Sequence, residues 1–165
     1  MASTPDEWAF FDAGLFIGAL LKGDARYAEA RPLIEAARGG HILACTSPGV
    51  LSEVYAALTW AQATPPHSPK EAERAVALLV EAPSAIRVLG DGLEVALRAL
   101  KMAAAHDLTA RRIHDARHAA TALEASVTAV YTYDVDDWKG FEDDGIRIAG
   151  PASTLELLKE ENRER

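Results

Sequence analysis

The sequence predicts a single α/β domain with a mainly parallel central sheet of about four or five strands. Short apolar runs alternate with longer stretches of helical periodicity along the chain. The first run, residues 8–11, is apolar throughout, which is typical of a strand buried on both faces of a parallel sheet. The 165 residues suffice for one core and are few for two. We therefore expect one domain over residues 1–165, with its core at about 8–151 and a C-terminal helix and frayed tail at 152–165.

Glycine and proline mark the ends of elements in the N-terminal half. A helix ends near Gly23, and the next one stops at Gly39 and Gly40. Pro32 inside that second helix predicts a kink or a later start. Thr46 or Ser47 caps the helix that begins at Pro48, a favoured first position. The predicted elements of this half are strand 8–11, helix 15–21, helix 24–38, strand 41–44 and helix 48–62.

In the C-terminal half, a capping box opens the first helix. Ser68 and Glu71 have the required spacing, and Pro69 stands at the first helical position. The apolar runs that follow fit three further strands, the last of them a short edge strand. The predicted elements of this half are helix 69–81, strand 86–89, helix 92–106, helix 109–126, strand 128–133, strand 146–148 and helix 151–160.

Composition limits the compartment and the partners. No apolar run approaches the roughly 20 residues that span a bilayer. The acidic start of the chain lacks the basic segment of a signal peptide. A single cysteine, Cys45, cannot form an internal disulfide and fits a reducing compartment. These features predict a cytoplasmic protein, and the net charge of −8 argues against generic nucleic-acid binding without excluding a nuclease.

Four acidic residues occupy equivalent places in this layout. Asp12 and Asp134 end apolar strands, and Glu53 and Asp115 lie in the opening turns of predicted helices. Strand C-termini and helix N-termini share one edge of a parallel sheet, where ligands bind. Taken singly, each acid could be a turn residue or a complement to a helix dipole. Four carboxylates at one edge would repel each other without a cation, so the set predicts a hard divalent metal and phosphate chemistry.

Four segments containing these acids resemble the motifs of PIN-domain ribonucleases, and most closely the VapC-type toxins of toxin–antitoxin pairs. The third and fourth are the specific ones, an Asp leading an Ala-rich helix and then an apolar strand ending Thr-x-Asp. The resemblance covers about residues 10–151 and implies a three-layer α/β/α fold, Mg²⁺ or Mn²⁺ bound by the acids, and endonucleolytic cleavage of RNA. The segments are residues 11–12 (Phe-Asp), 51–54 (Leu-Ser-Glu-Val), 114–123 (His-Asp-Ala-Arg-His-Ala-Ala-Thr-Ala-Leu) and 131–134 (Tyr-Thr-Tyr-Asp).

The resemblance assigns roles to the acids. Asp12, Asp115 and Asp134 would be direct or water-mediated metal ligands, and Glu53 would serve a second metal or orient the attacking water. The family often has a further acid before an aromatic residue, and Asp137 fits this better than Asp136 because Trp138 follows it. One departure is Gly14, which stands where the family usually has Asn, Ser or Thr.

Two alternatives to a nuclease are open. His114 and His118 have the i, i+4 spacing of zinc metalloproteases, with His106 or His41 available as a third ligand. That reading leaves Asp12, Glu53 and Asp134 without a role. The second alternative is a non-catalytic PIN-like module that binds RNA or a protein without cutting, which the Gly14 departure and the acidic charge allow.

Candidate RNA-binding residues are basic or aromatic. Trp138 and Tyr133 could stack on a single-stranded base or pack at the sheet edge. Ala-rich helices favour close packing with a second copy, so we expect a homodimer. A toxin would also have a small cognate antitoxin that covers the acidic cleft. The basic candidates are Arg111, Arg112 and Lys139.

Overall fold

A five-stranded sheet forms the centre of the computed structural model, which describes residues 6–165. The strand order is β3-β2-β1-β4-β5, and every pairing is parallel. This confirms the predicted α/β fold with a parallel sheet. The acidic start of the chain and the N-terminal limit of the predicted domain fall partly on residues 1–5, which lie outside the described residues. The strands are β1 (Ala9–Phe11), β2 (Ala44–Thr46), β3 (Arg87–Val88), β4 (Ala129–Tyr131) and β5 (Arg147–Gly150).

The helices contact one another in two groups. In the first group α1 packs on α2 and α3, and α3 packs on α4; in the second α5 packs on α6. Connections between parallel strands are right-handed. The helices of the first group connect strands in the direction from β1 to β3, and those of the second group connect β3 back to β4, in the opposite direction along the sheet. The two groups therefore lie on opposite faces of the sheet. The helices are α1 (Ala13–Leu20), α2 (Tyr27–Arg38), α3 (Pro48–Thr59), α4 (Pro69–Val80), α5 (Leu93–Ala105), α6 (Ile113–Glu124), α7 (Val135–Lys139) and α8 (Ala152–Arg163).

The core lies between the sheet and these helices. Phe10 and Phe11 of β1 are fully buried, as expected for a central strand covered on both faces. Phe11 stacks on Tyr131 of β4, with ring centroids 4.8 Å apart. The predicted caps also form: Ser47 accepts a hydrogen bond from the Val50 amide, and Ser68 makes both hydrogen bonds of the capping box.

Two elements in the N-terminal half begin three residues later than the sequence predicts. The second strand begins at Ala44, not residue 41, because its ladder with β1 pairs Ala44 with Ala9. Helix α2 begins at Tyr27, not residue 24, because the Asp24 carboxylate accepts the Arg26 amide in a turn. Pro32 lies inside α2, so the later start still leaves a proline within the helix.

Two boundaries in the C-terminal half also differ. The residues after Asp134, for which the sequence allows a turn, form the short helix α7, whose first turn carries Asp136 and Asp137. The tail predicted to fray from about residue 160 continues as helix to Arg163. Lys139 of α7 makes an ion pair with Glu161 there and so connects this last turn to the domain.

Candidate active site

The sheet has a topological switch point between β1 and β4. The chain leaves these two neighbouring strands in opposite directions, which opens a crevice at the carboxyl edge where open α/β sheets bind ligands. Asp12 directly follows β1, and Asp134 follows the end of β4. Asp115 lies in the first turn of α6, and Asp137 lies in the first turn of α7. The crevice is therefore edged by aspartates from four different segments.

Asp12 is buried, and hydrogen bonds fix its carboxylate. Its Oδ1 accepts the Ala13 amide at 2.9 Å and so caps α1. Its Oδ2 accepts the Thr132 hydroxyl at 2.7 Å and the indole N–H of Trp138 at 3.0 Å. The Asp12 amide donates to the Tyr131 carbonyl at 3.0 Å. Groups from β4 and α7 thus set the orientation of this acid before any ligand binds.

The aspartates repel each other electrostatically. Partial burial, followed by the charge of Asp137 and a smaller effect of Asp12, raises the pKa of Asp115 to about 6. Partial burial and the charges of Asp137 and Asp12 also raise the pKa of Asp134. Asp136 acts only weakly on Asp134, which supports the preference for Asp137 as the additional acid. Raised carboxyl pKa values mark a place where positive charge would be stabilised.

Glu53 is paired with a histidine. The side chain of Glu53 extends from α3, and its Oε1 lies 2.6 Å from Nε2 of the buried His118 on α6. Burial lowers the pKa of His118, but the hydrogen bond to Glu53 and the charges of Glu53, Asp12 and Asp115 outweigh burial, so the pKa is raised. His118 therefore lies between Glu53 and the aspartates, and Glu53 does not act on the pKa of Asp115 or Asp134 directly. Glu53 is thus paired with His118, whereas Asp115 and Asp134 are affected by the charges of other aspartates.

The carboxylate oxygens of the crevice are the type of ligand that a hard cation prefers, but among the described residues they do not form a preformed metal cage. Over residues 6–165, no three His, Cys, Asp or Glu side chains are gathered closely enough to form a cage for a metal ion. Mg²⁺ does not require one, because it keeps several waters and is commonly bound by one or two carboxylates. The residues whose oxygens could hold it are Asp12, Asp115, Asp134 and Asp137.

The zinc alternative has weaker support, since structural and catalytic zinc sites use three or four fixed protein ligands. Both ring nitrogens of His118 are engaged: Nε2 with Glu53 and Nδ1 with the Ser47 hydroxyl at 3.4 Å. His106, a suggested third ligand, pairs through Nε2 with Asp144 at 2.6 Å. Cys45 is no nucleophile either, because burial raises the pKa of its thiol to about 12.

The basic and aromatic candidates differ in their surroundings. Arg111 and Arg112 are exposed in a single 3₁₀ turn before α6, and the charge of Arg112 reaches Asp115. Lys139 is already paired with Glu161. Trp138 was a candidate for stacking on a base, but it is buried against Phe10, with ring centroids 5.7 Å apart. It instead supplies a hydrogen bond to Asp12 from inside the core.

Sequence reasoning missed Arg26, which lies at the Gly14 departure. A Cβ atom at position 14 would lie 2.9 Å from Arg26 Nη1 and 3.4 Å from Cδ2 of Tyr133. The guanidinium therefore occupies the space that a longer residue at position 14 would fill. Its charge lowers the pKa of Asp134. No motif includes Arg26, and only the packing of α2 on α1 brings it to the crevice.

Comparison with known proteins identifies the family and the fold of the chain. The family model described as PIN domain matches residues 9–142. The crystal structure of Mycobacterium tuberculosis VapC20, titled a sarcin–ricin-loop-cleaving toxin, superimposes with a TM-score of 0.65. The superposition covers 86% of this chain and 98% of that one at 22% identity, which shows a shared fold. No curated protein matches the chain in sequence. Because the family model spans most of the chain, including all four predicted acidic motifs in full, the chain belongs to the PIN-domain family.

Proposed function

We propose that the chain is a metal-dependent endoribonuclease and the toxin of a toxin–antitoxin pair. The observation that carries this proposal is the group of mutually repelling aspartates at the β1/β4 switch point of a PIN-domain chain. PIN and VapC proteins are nucleases as a family, and the structurally similar VapC20 is a sarcin–ricin-loop-cleaving toxin.

In the proposed reaction, Mg²⁺ or Mn²⁺ would be held by Asp12, Asp115, Asp134 and Asp137. When bound, the cation supplies positive charge that lowers the pKa of the attacking water and offsets the charge of the phosphodiester. Thr132 and Trp138 orient Asp12 through their hydrogen bonds to its Oδ2. Glu53, fixed by His118 at 2.6 Å, would orient the water, and Arg112 would draw the RNA backbone towards Asp115.

The partners are part of the proposal. Helix α5 exposes Leu93, Leu97 and Leu100, which are 69%, 46% and 59% accessible. Their spacing places them along one side of the helix. Clustered exposed leucines favour a protein contact, with either a second copy or an antitoxin. In the described part of the chain, no helix has the length and apolar character needed to cross a bilayer.

The test of the activity is cleavage of a mixed pool of cellular RNA, including tRNA, by the purified full chain with Mg²⁺ or Mn²⁺. The deciding pair is Asp137→Asn against Asp136→Asn, neighbouring acids of which only Asp137 acts strongly on the aspartates of the crevice. We expect the Asp137 variant to lose at least about 100-fold in rate, of the order of a removed electrostatic catalytic group. The Asp136 variant should retain activity.

Asp12→Asn and Asp134→Asn should likewise abolish cleavage, and EDTA should stop the wild-type reaction. RNA that is bound but never cut, by wild type and by Asp12→Asn alike, would identify the non-catalytic PIN-like module instead. Cleavage that persists in EDTA and in the Asp137 variant would contradict a role for the aspartates in the chemistry.

A further inference from the structure

Arg26 is held in one orientation by a neighbouring acid. Its Nε donates to Asp24 Oδ1 at 2.9 Å, and its Nη2 donates to Asp24 Oδ2 at 2.8 Å. The Arg26 amide also donates to Oδ1 at 2.8 Å. Such a two-point contact fixes a planar guanidinium better than a single hydrogen bond can. The hydrogen bonds and charge of Asp24 raise the pKa of Arg26, so the side chain stays cationic.

The remaining nitrogen, Nη1, faces the aspartate crevice. A guanidinium has five N–H groups to donate. Within residues 6–165, the hydrogen bonds of the Arg26 side chain are made by Nε and Nη2, and none is made by Nη1. It lies where a side chain on Gly14 would begin, two residues after Asp12. The charge of Arg26 acts to lower the pKa of Asp134, which shows that the two groups are close enough to interact. About one third of the side chain is accessible, so a ligand in the crevice can reach it.

The surface beneath Arg26 is also fixed. The guanidinium carbon lies 5.4 Å from the ring centroid of Tyr133, a cation–π contact. The Tyr133 hydroxyl donates to Glu29 at 2.9 Å, and Glu29 in turn accepts the hydroxyl and the amide of Ser153. A cation supported on a rigid ring loses little entropy when it binds an anion.

We propose that Arg26 is a phosphate-binding residue of this site, with Nη1 in the space left by Gly14 donating to a non-bridging oxygen of the RNA backbone. This rests on the proposed function, because the RNA supplies the phosphate. A purely structural role for Arg26 would explain its contacts with Asp24 and Tyr133. It would not explain why Nη1 lies beside the aspartates without a hydrogen-bond acceptor among the described residues. Arg26 would then supply a resident positive charge in an otherwise acidic crevice.

The test is RNA binding in an Asp115→Asn background with Mg²⁺, where cutting is not expected. The probe is a fluorescein-labelled single-stranded RNA of mixed sequence, titrated from about 50 to 300 mM salt and followed by anisotropy. Arg26→Gln should weaken binding about tenfold, the value of one charge-assisted hydrogen bond. It should also reduce the salt slope by about 0.7, the value for one phosphate contact on a single strand. The control is Arg31→Gln in the same helix, whose charge pairs with Glu35; it should change neither quantity.

The Gly14→Ala variant tests whether the position of Nη1 matters for RNA binding while Arg26 is still present. The added Cβ would lie 2.9 Å from Nη1 and displace the end of the arginine without removing it. Gly14 lies in the first turn of α1 and Nη1 is the far end of a flexible side chain, so we expect at most a small loss of stability, which thermal melts would measure. We expect weaker RNA binding in Gly14→Ala and no additional loss when it is combined with Arg26→Gln. Gly92→Ala, whose Cβ would meet nothing within 4 Å, is the matched control.

Equal binding by the Arg26→Gln and Arg31→Gln variants, or an unchanged salt slope, would overturn the proposal. So would undiminished binding by Gly14→Ala, even if Arg26→Gln fails to fold. Cleavage by the chain with Asp115 intact is measured separately. A wild type that binds RNA through Arg26 without cutting it would refute the nuclease and leave this inference in place.

Discussion

At the scale of single residues, the most informative group is Asp115. Because the pKa of Asp115 is raised from the ordinary 3.8 to about 6, the folded state binds this proton more tightly than the unfolded chain does. The resulting stability is fully present below the ordinary value of 3.8. As the pH rises through about 6, the proton leaves and that stability is lost. Asp115→Asn should therefore raise the stability of the metal-free protein at pH 7.5 by about 1 kcal/mol, after allowing for solvent screening. Denaturant melts in EDTA measure this, and a less stable variant would contradict it.

The same residue predicts the pH dependence of metal binding. A cation needs the carboxylate, so protons compete with it below pH 6. Affinity for Mn²⁺ should rise from pH 5 to about pH 6.5 and then level off. Calorimetric titration of the wild type at several pH values measures this. Because Asp137 acts on both Asp115 and Asp134, the midpoint belongs to the group, and Asp137→Asn should lower it.

The Glu53–His118 pair also loses its contribution to stability as the pH rises, but it does so through a histidine. Its histidine pKa is raised in the folded state, so the pair contributes stability below the unfolded value and loses it as the pH rises through the folded value. Glu53→Gln should cost about 1 kcal/mol at pH 6 and much less at pH 9. Thermal melts at the two pH values test this, with Glu73→Gln as the control on the exposed surface of α4. An equal cost at both pH values would mean that the charge is not involved.

At the scale of elements, the site depends on the junction between β4 and β5. The ladder shifts register there, and Gly150 pairs with Tyr131. A Cβ at Gly150 would lie 2.8 Å from the Tyr131 ring. The backbone of this junction also positions the acids, because the Tyr131 carbonyl accepts the Asp12 amide and the Gly150 carbonyl accepts the Thr132 amide.

Gly150→Ala should therefore destabilise the fold by about 1–3 kcal/mol, as overpacking does. It should also reduce cleavage in the surviving folded protein, because Asp12 and Thr132 would move with Tyr131. Gly90→Ala is the control, since its Cβ would meet nothing within 4 Å. Denaturant melts and specific activity of the folded fraction provide the two measurements. Intact stability would show that Tyr131 can move aside.

The elements also show where sequence reasoning succeeded. Apolar runs, Ser47, Ser68 and the helix-ending glycines are local signals, and they located the strands and most helices. The shifts at Ala44 and Tyr27 have non-local or side-chain causes: the register with β1 and the Asp24 turn. Within the site, the aspartates were predictable from motif order. Arg26 and the indole bond of Trp138 were not, because both depend on how distant elements pack.

At the scale of the whole molecule, bound metal should act as a stabilising ligand. A cation that binds only the folded aspartates adds about 2.7 kcal/mol at one hundred times its Kd. For a domain of 165 residues, this corresponds to a rise in Tm of about 5–10 °C. Thermal melts with millimolar Mn²⁺ should show the rise in the wild type and in Asp136→Asn. Asp134→Asn should lose most of it, and an unchanged wild-type Tm would refute the metal site.

The hydrogen bond from Trp138 to Asp12 makes an optical readout available inside the protein. The fluorescence emission wavelength of an indole depends on the charges close to its ring. The indole of Trp138 is buried, and its Nε1 lies 3.0 Å from Oδ2 of Asp12. With Trp8 and Trp60 replaced by phenylalanine, Trp138 is the single remaining tryptophan, and its emission wavelength should change when a cation neutralises Asp12. Stopped-flow mixing would then follow metal arrival in real time without RNA, label or turnover. Thr132→Val, which removes the other bond to Oδ2, should alter the starting wavelength.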